Sequence, residues 1–297
     1  MIQFGLNMKA IKREFDAVIF DIDNVLADTR SSYTDCVRET VQIYLEKIFQ
    51  FSSSKGKLLS KKDIEKFKLL GGFNDDWDTS YGLLLYLLSL NSKTKSTSAL
   101  KQLINLAHFS KKVKAPVYVK GIERICGKNS QVSIPKIARA FQALYFKKYI
   151  NREWPVLPKS TFEKLKKSGI KLGIATGRNR TEARYVLKRF GIRRFFGKII
   201  CVNDLPSGRF KKPHPYSLLK IAAKYGLRKK YLYIGDLPDD IQMAREASRK
   251  IYIEGWGFPY LSSEKKEMEK GFRKAGAKRI VRTKSELIRL LNQLTSR

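Results

Sequence analysis

Two acids one residue apart, Asp21 and Asp23, carry the clearest chemical meaning in this 297-residue chain. They sit in the stretch Phe15 to Asp28, FDAVIFDIDNVLAD. On an extended backbone, positions i and i+2 point to the same side. Adjacent carboxylates repel, and a protein holds them best with a cation or a shared proton between them. The residues just before them, Ala17, Val18, Ile19 and Phe20, form a short apolar run with the composition of a strand buried on both faces of a parallel sheet. The two acids therefore leave the carboxyl edge of a buried strand, where open α/β sheets bind their ligands. The plainer reading is that they cap a turn and the helix after it.

Three later strand ends supply complementary groups. Ile170 to Ala175 reads as a strand that stops at Thr176, Gly177 and Arg178. Lys198 to Val202 reads as another, and the loop after it carries Lys211 and Lys212 just before Pro213. Tyr231 to Gly235 ends in Asp236, with Asp239 and Asp240 three and four residues on. Acids from the first and fourth strand ends can share a divalent cation, and hard oxygen ligands favour Mg²⁺. A hydroxyl and an ammonium can hold the anionic oxygens of a phosphoryl group. A carboxylate that attacks phosphorus forms an aspartyl-phosphate.

The elements that position these groups follow from periodicity. From Trp154 onward, apolar strands alternate with helices, which predicts right-handed βαβ units and a parallel sheet. The helices are expected at Pro158 to Lys167, Thr181 to Arg189, Pro213 to Tyr225, Asp239 to Ala247, Ser262 to Lys274 and Ser285 to Leu294. Gly169, Gly191 and Gly226 close the first three. A fifth strand is expected at Lys250 to Ile253, followed by a turn GWGFPY. Between Asp28 and Trp154 the pattern is different. Helical periods run through Arg30 to Phe51, Lys61 to Leu70, the apolar run GLLLYLLSL (82–90), Leu100 to Phe109 and Ile134 to Tyr149. Asp78 is expected to cap the helix containing the apolar run. Residues 110–133 show no clean period. Loops are expected at 51–60 and 91–98, and residues 1–14 read as a polar lead-in. The first strand is cut off from its sheet by this helical block. The expected architecture is thus an α/β, Rossmann-like three-layer core with a parallel sheet, built from residues 1–29 and 152–297. An inserted, mostly α-helical cap domain, residues 30–151, would stand over the acids as a lid.

Four segments in this order, DIDNVLAD (21–28), IATGR (174–178), KKPHP (211–215) and YIGDLPDD (233–240), resemble the haloacid dehalogenase superfamily of phosphohydrolases. GWGF (255–258) resembles its phosphoglycolate phosphatase-like branch, and an insertion after the first motif is similar to that branch's helical C1-type cap. KLLGGFNDDWDTSYGLL (68–84) resembles a capped subgroup of the superfamily. The resemblance implies that Asp21 is the nucleophile. It implies that Asp23 is the general acid, then the base, with its main-chain carbonyl on Mg²⁺. Thr176 and Lys212 would hold the phosphoryl group, with Lys212 preferred over Lys211 because it directly precedes Pro213. Asp236 would bind the metal with Asp21 and Asp23. Asp240, with Asp239 as the fallback, would orient metal-bound water, and Gly177 and Arg178 would support the site. Asn24 stands where many relatives have Gly, and Asn also tolerates a left-handed turn. An acid at position 23 favours phosphate chemistry over dehalogenation, because the dehalogenases of the superfamily lack it.

Composition bounds the remaining possibilities. Hydrophobic residues make up 43% and aromatic residues 11%, as in a globular enzyme and not a disordered chain. The longest apolar run is too short to span a bilayer, so no membrane partner is expected. Cys36, Cys126 and Cys201 have no metal spacing and fit a reducing, cytoplasmic setting. The start MIQFGLNMKAIKREF has no signal-peptide pattern. The formal charge of +34, from 61 Lys and Arg against 27 Asp and Glu, predicts attraction to phosphates. The bases are spread along the chain without a nucleic-acid-binding signature, so a solvated basic surface explains them as well.

These observations lead to an Mg²⁺-dependent phosphatase of a small phosphorylated metabolite. The alternatives are a phosphatase for nucleic-acid ends, a basic nucleic-acid-associated protein of the same fold without turnover, and a phosphomutase. Arg178 either reaches an anionic substrate or covers the surface. His214 reads as a variable loop residue and His108 as a structural one. Asn74, Asp75, Asp76 and Trp77 either face the site or form a capping turn around a buried Trp.

Overall fold

The computed structural model describes residues 14–52, 56–73, 75–90 and 95–295. Residues 1–13 of the lead-in, Asn74 and parts of both expected loops lie outside the described residues. The chain opens with strand β1 (Ala17–Phe20), followed by a two-residue strand β2 (Ala27–Asp28). Among the described residues seven α-helices come next: α1 (Tyr33–Lys47), α2 (Lys61–Lys68), α3 (Asp76–Ser89), α4 (Thr97–Leu103), α5 (Leu106–Lys112), α6 (Tyr118–Cys126) and α7 (Ile134–Leu144). After β3 (Trp154–Pro155), strands and helices alternate: α8 (Lys159–Lys167), β4 (Lys171–Ala175), α9 (Arg180–Arg189), β5 (Lys198–Ile200), α10 (Tyr216–Tyr225), β6 (Lys230–Gly235), α11 (Pro238–Ala247) and β7 (Tyr252–Gly257). The chain closes with α12 (Lys265–Ala275), β8 (Arg279–Ile280) and α13 (Lys284–Gln293).

Six strands form one parallel sheet in the order β5-β4-β1-β6-β7-β8. The first strand thus lies inside the sheet, between β4 and β6. The chain builds outward on one side of β1 through β4 and β5, then on the other through β6, β7 and β8. That reversal opens a crevice at the carboxyl end of β1. All four β1 residues are fully buried. Val18 and Phe20 feed one hydrophobic cluster and Ala17 and Ile19 another, so the two faces of the sheet are both covered. A third cluster lies wholly within residues 33–150 and includes Val37, Phe67, Leu84 and Phe141. The helical block therefore carries its own core. Its two connections to the sheet lie side by side, because β2 and β3 pair antiparallel, Ala27 with Pro155 and Asp28 with Trp154. No helix among the described residues is long and apolar enough to cross a membrane.

The α/β reading with a parallel sheet and helical insertion holds, and several local expectations are corrected. GWG is not a turn: it completes β7, which pairs residue by residue with β6 from Lys230–Tyr252 to Gly235–Gly257. A sixth strand, β8, adds to β7. Helix α3 is capped by Asp75, whose carboxylate accepts from the Trp77 N–H at 2.9 Å, and not by Asp78. The helix expected over Leu100 to Phe109 breaks at Ile104, where Asn105 caps α5. Residues 110–133, without a clean period, contain α6, and Ile134 to Tyr149 passes at Tyr145 from an α-helix into a wider helical turn. Helix α10 begins at Tyr216, three residues after Pro213.

Candidate active site

The carboxyl end of β1 delivers Asp21 into the crevice, 4% exposed. Its Oδ1 accepts from the Ile22 N–H at 2.8 Å, and its Oδ2 lies 3.0 Å from Lys212 Nζ. The same ammonium is 2.7 Å from Asp240 Oδ1. Asp240, fully buried, also accepts from the Tyr233 hydroxyl at 2.8 Å and from the Leu237 N–H at 3.0 Å. Its carboxylate fits because position 235 is glycine: a Cβ there would come within 2.2 Å of Asp240 Cβ. Asp236, at the end of β6, accepts from the Asn24 side-chain amide at 2.9 Å. Asn24 reaches it from a left-handed backbone, φ 54°, as expected for an Asn in place of Gly.

Oxygens of Asp21, Asp236 and Asp240 lie within 4.8 Å of one another. Burial pushes the Asp21 carboxyl up to about 7; Lys212 opposes the shift, while Asp240 and Asp23 add to it. Burial, then Asp240 and Asp21, hold the Asp236 carboxyl well above its ordinary range. Three buried hard-oxygen donors with a single ammonium among them are short of positive charge. This set fits a hard divalent cation, which would favour the ionised carboxylates. The side-chain cluster includes Asp240, while the Asp23 carboxylate turns elsewhere.

Asp23 is held by Arg178, whose Nε and Nη2 donate to Asp23 Oδ1 at 3.0 and 2.7 Å. Arg178 is not on the surface: its side chain is 1% exposed. It also donates to both oxygens of Glu153, at 3.0 and 3.1 Å, and stacks over the Tyr33 ring at 4.7 Å. Although burial opposes the guanidinium charge, Asp23 and Glu153 keep it firmly protonated. Glu153 precedes β3, where the helical block returns to the sheet, and accepts further bonds from Ser32 and Tyr145. Tyr33 donates in turn to Glu182. Thr176, at the end of β4, is buried beside this network, and its hydroxyl accepts from the Arg178 N–H at 3.2 Å. Gly177 lines the same chamber.

The opposite wall comes from the α2–α3 region. Lys68 pairs with Asp76 at 2.8 Å, and Lys211 reaches across from the core to Asp75 at 2.7 Å. Despite burial, Asp76 raises the Lys68 ammonium above its ordinary range. Burial, with Asp75, pushes the Asp78 carboxyl up to about 6, and Lys211 opposes it. The Gly72 N–H donates to Asp239 at 3.3 Å. Asp75 thus caps α3, the segment Asp75 to Asp78 faces the site, and Trp77 is half-buried at its edge. The chamber measures about 90 Å³, and seven carboxylates and four cationic side chains line it. His214 is exposed, its ring accepting from the Tyr216 N–H, and His108 is exposed on α5, with no part in the site.

The structure therefore brings together Asp21, Asp23, Thr176, Gly177, Arg178, Lys212 and Asp236 around one chamber, with Asp240 directly behind it. Sequence reasoning missed Glu153, Tyr33 and Lys68. Only the acid at the block's point of return, Glu153, had a positional signal.

Residues 15–248 match the family of haloacid dehalogenase-like hydrolases. The chain belongs to this family. Among curated relatives it is 34% identical over 103 residues to a phosphoglycolate phosphatase of Pasteurella multocida, a match covering 34% of this chain and 45% of that protein. A second, from Haemophilus influenzae, is 28% identical over 134 residues, 44% of this chain and 58% of that one. The matches thus span about half the length of these relatives. The fold is shared with a solved phosphatase from Thermococcus thioreducens, with a TM-score of 0.57 at 20% identity over 80% of this chain and 90% of that one. It is also shared with a haloacid dehalogenase-like family protein from Streptococcus pneumoniae, with a TM-score of 0.54 at 15% identity over 93% and 98%.

Proposed function

We propose that this hydrolase is a phosphatase that cleaves a small phosphate monoester through an aspartyl-phosphate on Asp21. The observation that carries the reading is the buried Asp21 carboxylate with Lys212 at 3.0 Å, at the sheet's switch point, beside Asp236 and Asp240. Asp21 attacks phosphorus, and the ester oxygen departs with a proton from Asp23. Asp23 then takes a proton from water, which attacks the phosphorus and frees Asp21. Arg178 fixes the Asp23 carboxylate in both steps. Thr176 and Lys212 bind the phosphoryl oxygens, and charge developing there meets the Lys212 ammonium in a site shielded from water. Asp21, Asp236 and the Asp23 main chain would hold Mg²⁺, with Asp240 orienting the ligands through Lys212 and Leu237. Bound there, Mg²⁺ supplies positive charge that offsets the phosphate and the carboxylates.

Residues 30–151 act in this reading as a cap that closes the chamber, with Lys68 and Asp75–Asp78 as its contribution to selectivity. A chamber of about 90 Å³ suits a compact ester, and the relatives named phosphoglycolate phosphatases make phosphoglycolate the first substrate to try. The test is phosphate release from a panel of monoesters, with Mg²⁺ or with EDTA, beside Asp21→Asn. Metal-dependent release that disappears in the variant is expected. Release that persists in Asp21→Asn would falsify the reading.

A further inference from the structure

A second concavity, a groove of about 740 Å³, opens beside the chamber and shares Gly72, Asp78, Lys211 and Lys212 with it. Its charge is the reverse of the chamber's. Six cationic side chains line it against two carboxylates, Asp78 and Glu246. The chamber's own acids hold Lys211 and Lys212, and Glu246 pairs with Arg249 at 2.8 Å. Among the described residues, Lys120, Arg209 and Lys250 have no carboxylate partner, and all three are exposed. They come from three different elements, α6, the loop before α10 and the turn after α11, so their convergence is a product of the fold.

The groove also has an aromatic wall. Tyr118 adopts φ 53°, a left-handed conformation that is costly for a bulky residue and marks a held position. It is held by the Gly71 carbonyl, which accepts from its N–H at 3.2 Å, and its ring rests on Gly72, where a Cβ would lie 2.1 Å from a ring carbon. Tyr118 still stays 41% exposed and lines the groove beside Gly72, a residue that groove and chamber share. On the other side, Phe210 packs against His214 and Tyr216 with ring centroids 4.8 and 5.2 Å apart, which steadies the loop carrying Arg209 and Lys211.

Unpaired Lys and Arg side chains bind phosphate, and an exposed, fixed aromatic face stacks a planar base. We infer that the groove is a subsite for the remainder of a nucleotide substrate: its base stacks at Tyr118 and a second phosphate lies among Lys120, Arg209 and Lys250 while the scissile phosphate enters the chamber. This rests on the phosphatase reading and narrows its substrate class. A free nucleotide with two phosphates and the phosphorylated end of a strand share this chemistry.

The test compares phosphate release from adenosine 3′,5′-bisphosphate, the two adenosine monophosphates and phosphoglycolate. The bisphosphate should exceed the better monophosphate in kcat/KM by about tenfold or more, the worth of one charge-assisted contact. Arg209→Gln combined with Lys250→Gln, both at exposed positions, should close that gap, and Tyr118→Ala should lower the values for all adenosine compounds relative to phosphoglycolate. Equal kcat/KM for the bisphosphate and the monophosphates, or a gap unchanged in the double variant, overturns the subsite. A 5′-phosphorylated oligonucleotide separates the sources: a further gain that fades steeply with salt assigns the groove to a strand end, and no further gain assigns it to a free nucleotide. If phosphoglycolate is hydrolysed and the nucleotides are not, the subsite fails and the phosphatase reading stands. If no ester gives Asp21-dependent release, the phosphatase reading itself fails and takes the subsite with it.

Discussion

The floor of the chamber and its roof hold their charges by different means. The floor is made of strand ends. Asp21, Thr176 and Asp236 each follow directly from the last residues of hydrogen-bonded parallel strands, so the sheet fixes their spacing. Each also has a dedicated partner close by, such as Ile22 N–H for Asp21 and Asn24 for Asp236. The roof is made of a turn between two helices. Lys68, Asp75, Asp76 and Asp78 depend for their placing on how α2 and α3 pack within the helical core, and they pair with one another or with Lys211. A floor of this kind suits a fixed reaction, and a roof of this kind can change its selectivity by changing side chains.

The largest effect is expected where floor and roof meet. Arg178→Ala removes the buried cation shared by Asp23 and Glu153 and leaves both acids without their ion-pair partner. A loss of about 3–5 kcal/mol in unfolding free energy is expected, together with a fall in kcat. Chemical denaturation beside steady-state kinetics checks this; a variant with unchanged stability would show that the junction does not depend on the pair.

A roof residue should behave differently. Lys68→Met is expected to raise KM about tenfold with a smaller effect on kcat, as for an interaction that contributes to binding more than to the chemical step. An equal loss in kcat would place Lys68 with the floor. The smallest effect concerns Asp78. Its carboxyl is raised from 3.8 to about 6 in the fold. The folded protein therefore binds more protons there than the unfolded chain between those values, and the residue's charge costs stability that grows as pH rises from about 4 to 6. Asp78→Asn should accordingly stabilise the protein by about 1–2 kcal/mol at pH 7 and by little at pH 4. Melting curves of both proteins across that range decide it, and a gain that is constant with pH would contradict the assignment.

The floor was legible because its chemistry is local in sequence. An apolar run, then Asp21 and Asp23, states both the strand and what it delivers, and the left-handed Asn24 agrees with a residue that tolerates that turn standing where many relatives have Gly. The roof was not legible for the same reason in reverse. Asp75 and Asp78 both precede the apolar run of α3, and only the helix start, one turn earlier than the run suggests, decides which of them is the cap. Helix α6 hides behind Pro116 and carries Gly121 in its middle, which blurs its period. Arg178 read as a choice between substrate and surface because its partner Glu153 lies 25 residues away, and only the pairing of β2 with β3 brings the start and the return of the insertion together. The extent of β7 was lost because two glycines in GWG signal a turn, whereas Gly257 is needed to admit the Phe272 ring, which a Cβ there would meet at 2.5 Å.

The central claim is covalent chemistry at Asp21, and the most direct measurement is a rapid acid quench of the protein with a ³²P-labelled monoester that it hydrolyses, followed by peptide mapping. The account predicts transient label on the peptide containing Asp21, appearing before free phosphate and absent in Asp21→Asn. Rapid phosphate release with no label on the protein, or label on a peptide that lacks Asp21, would contradict it.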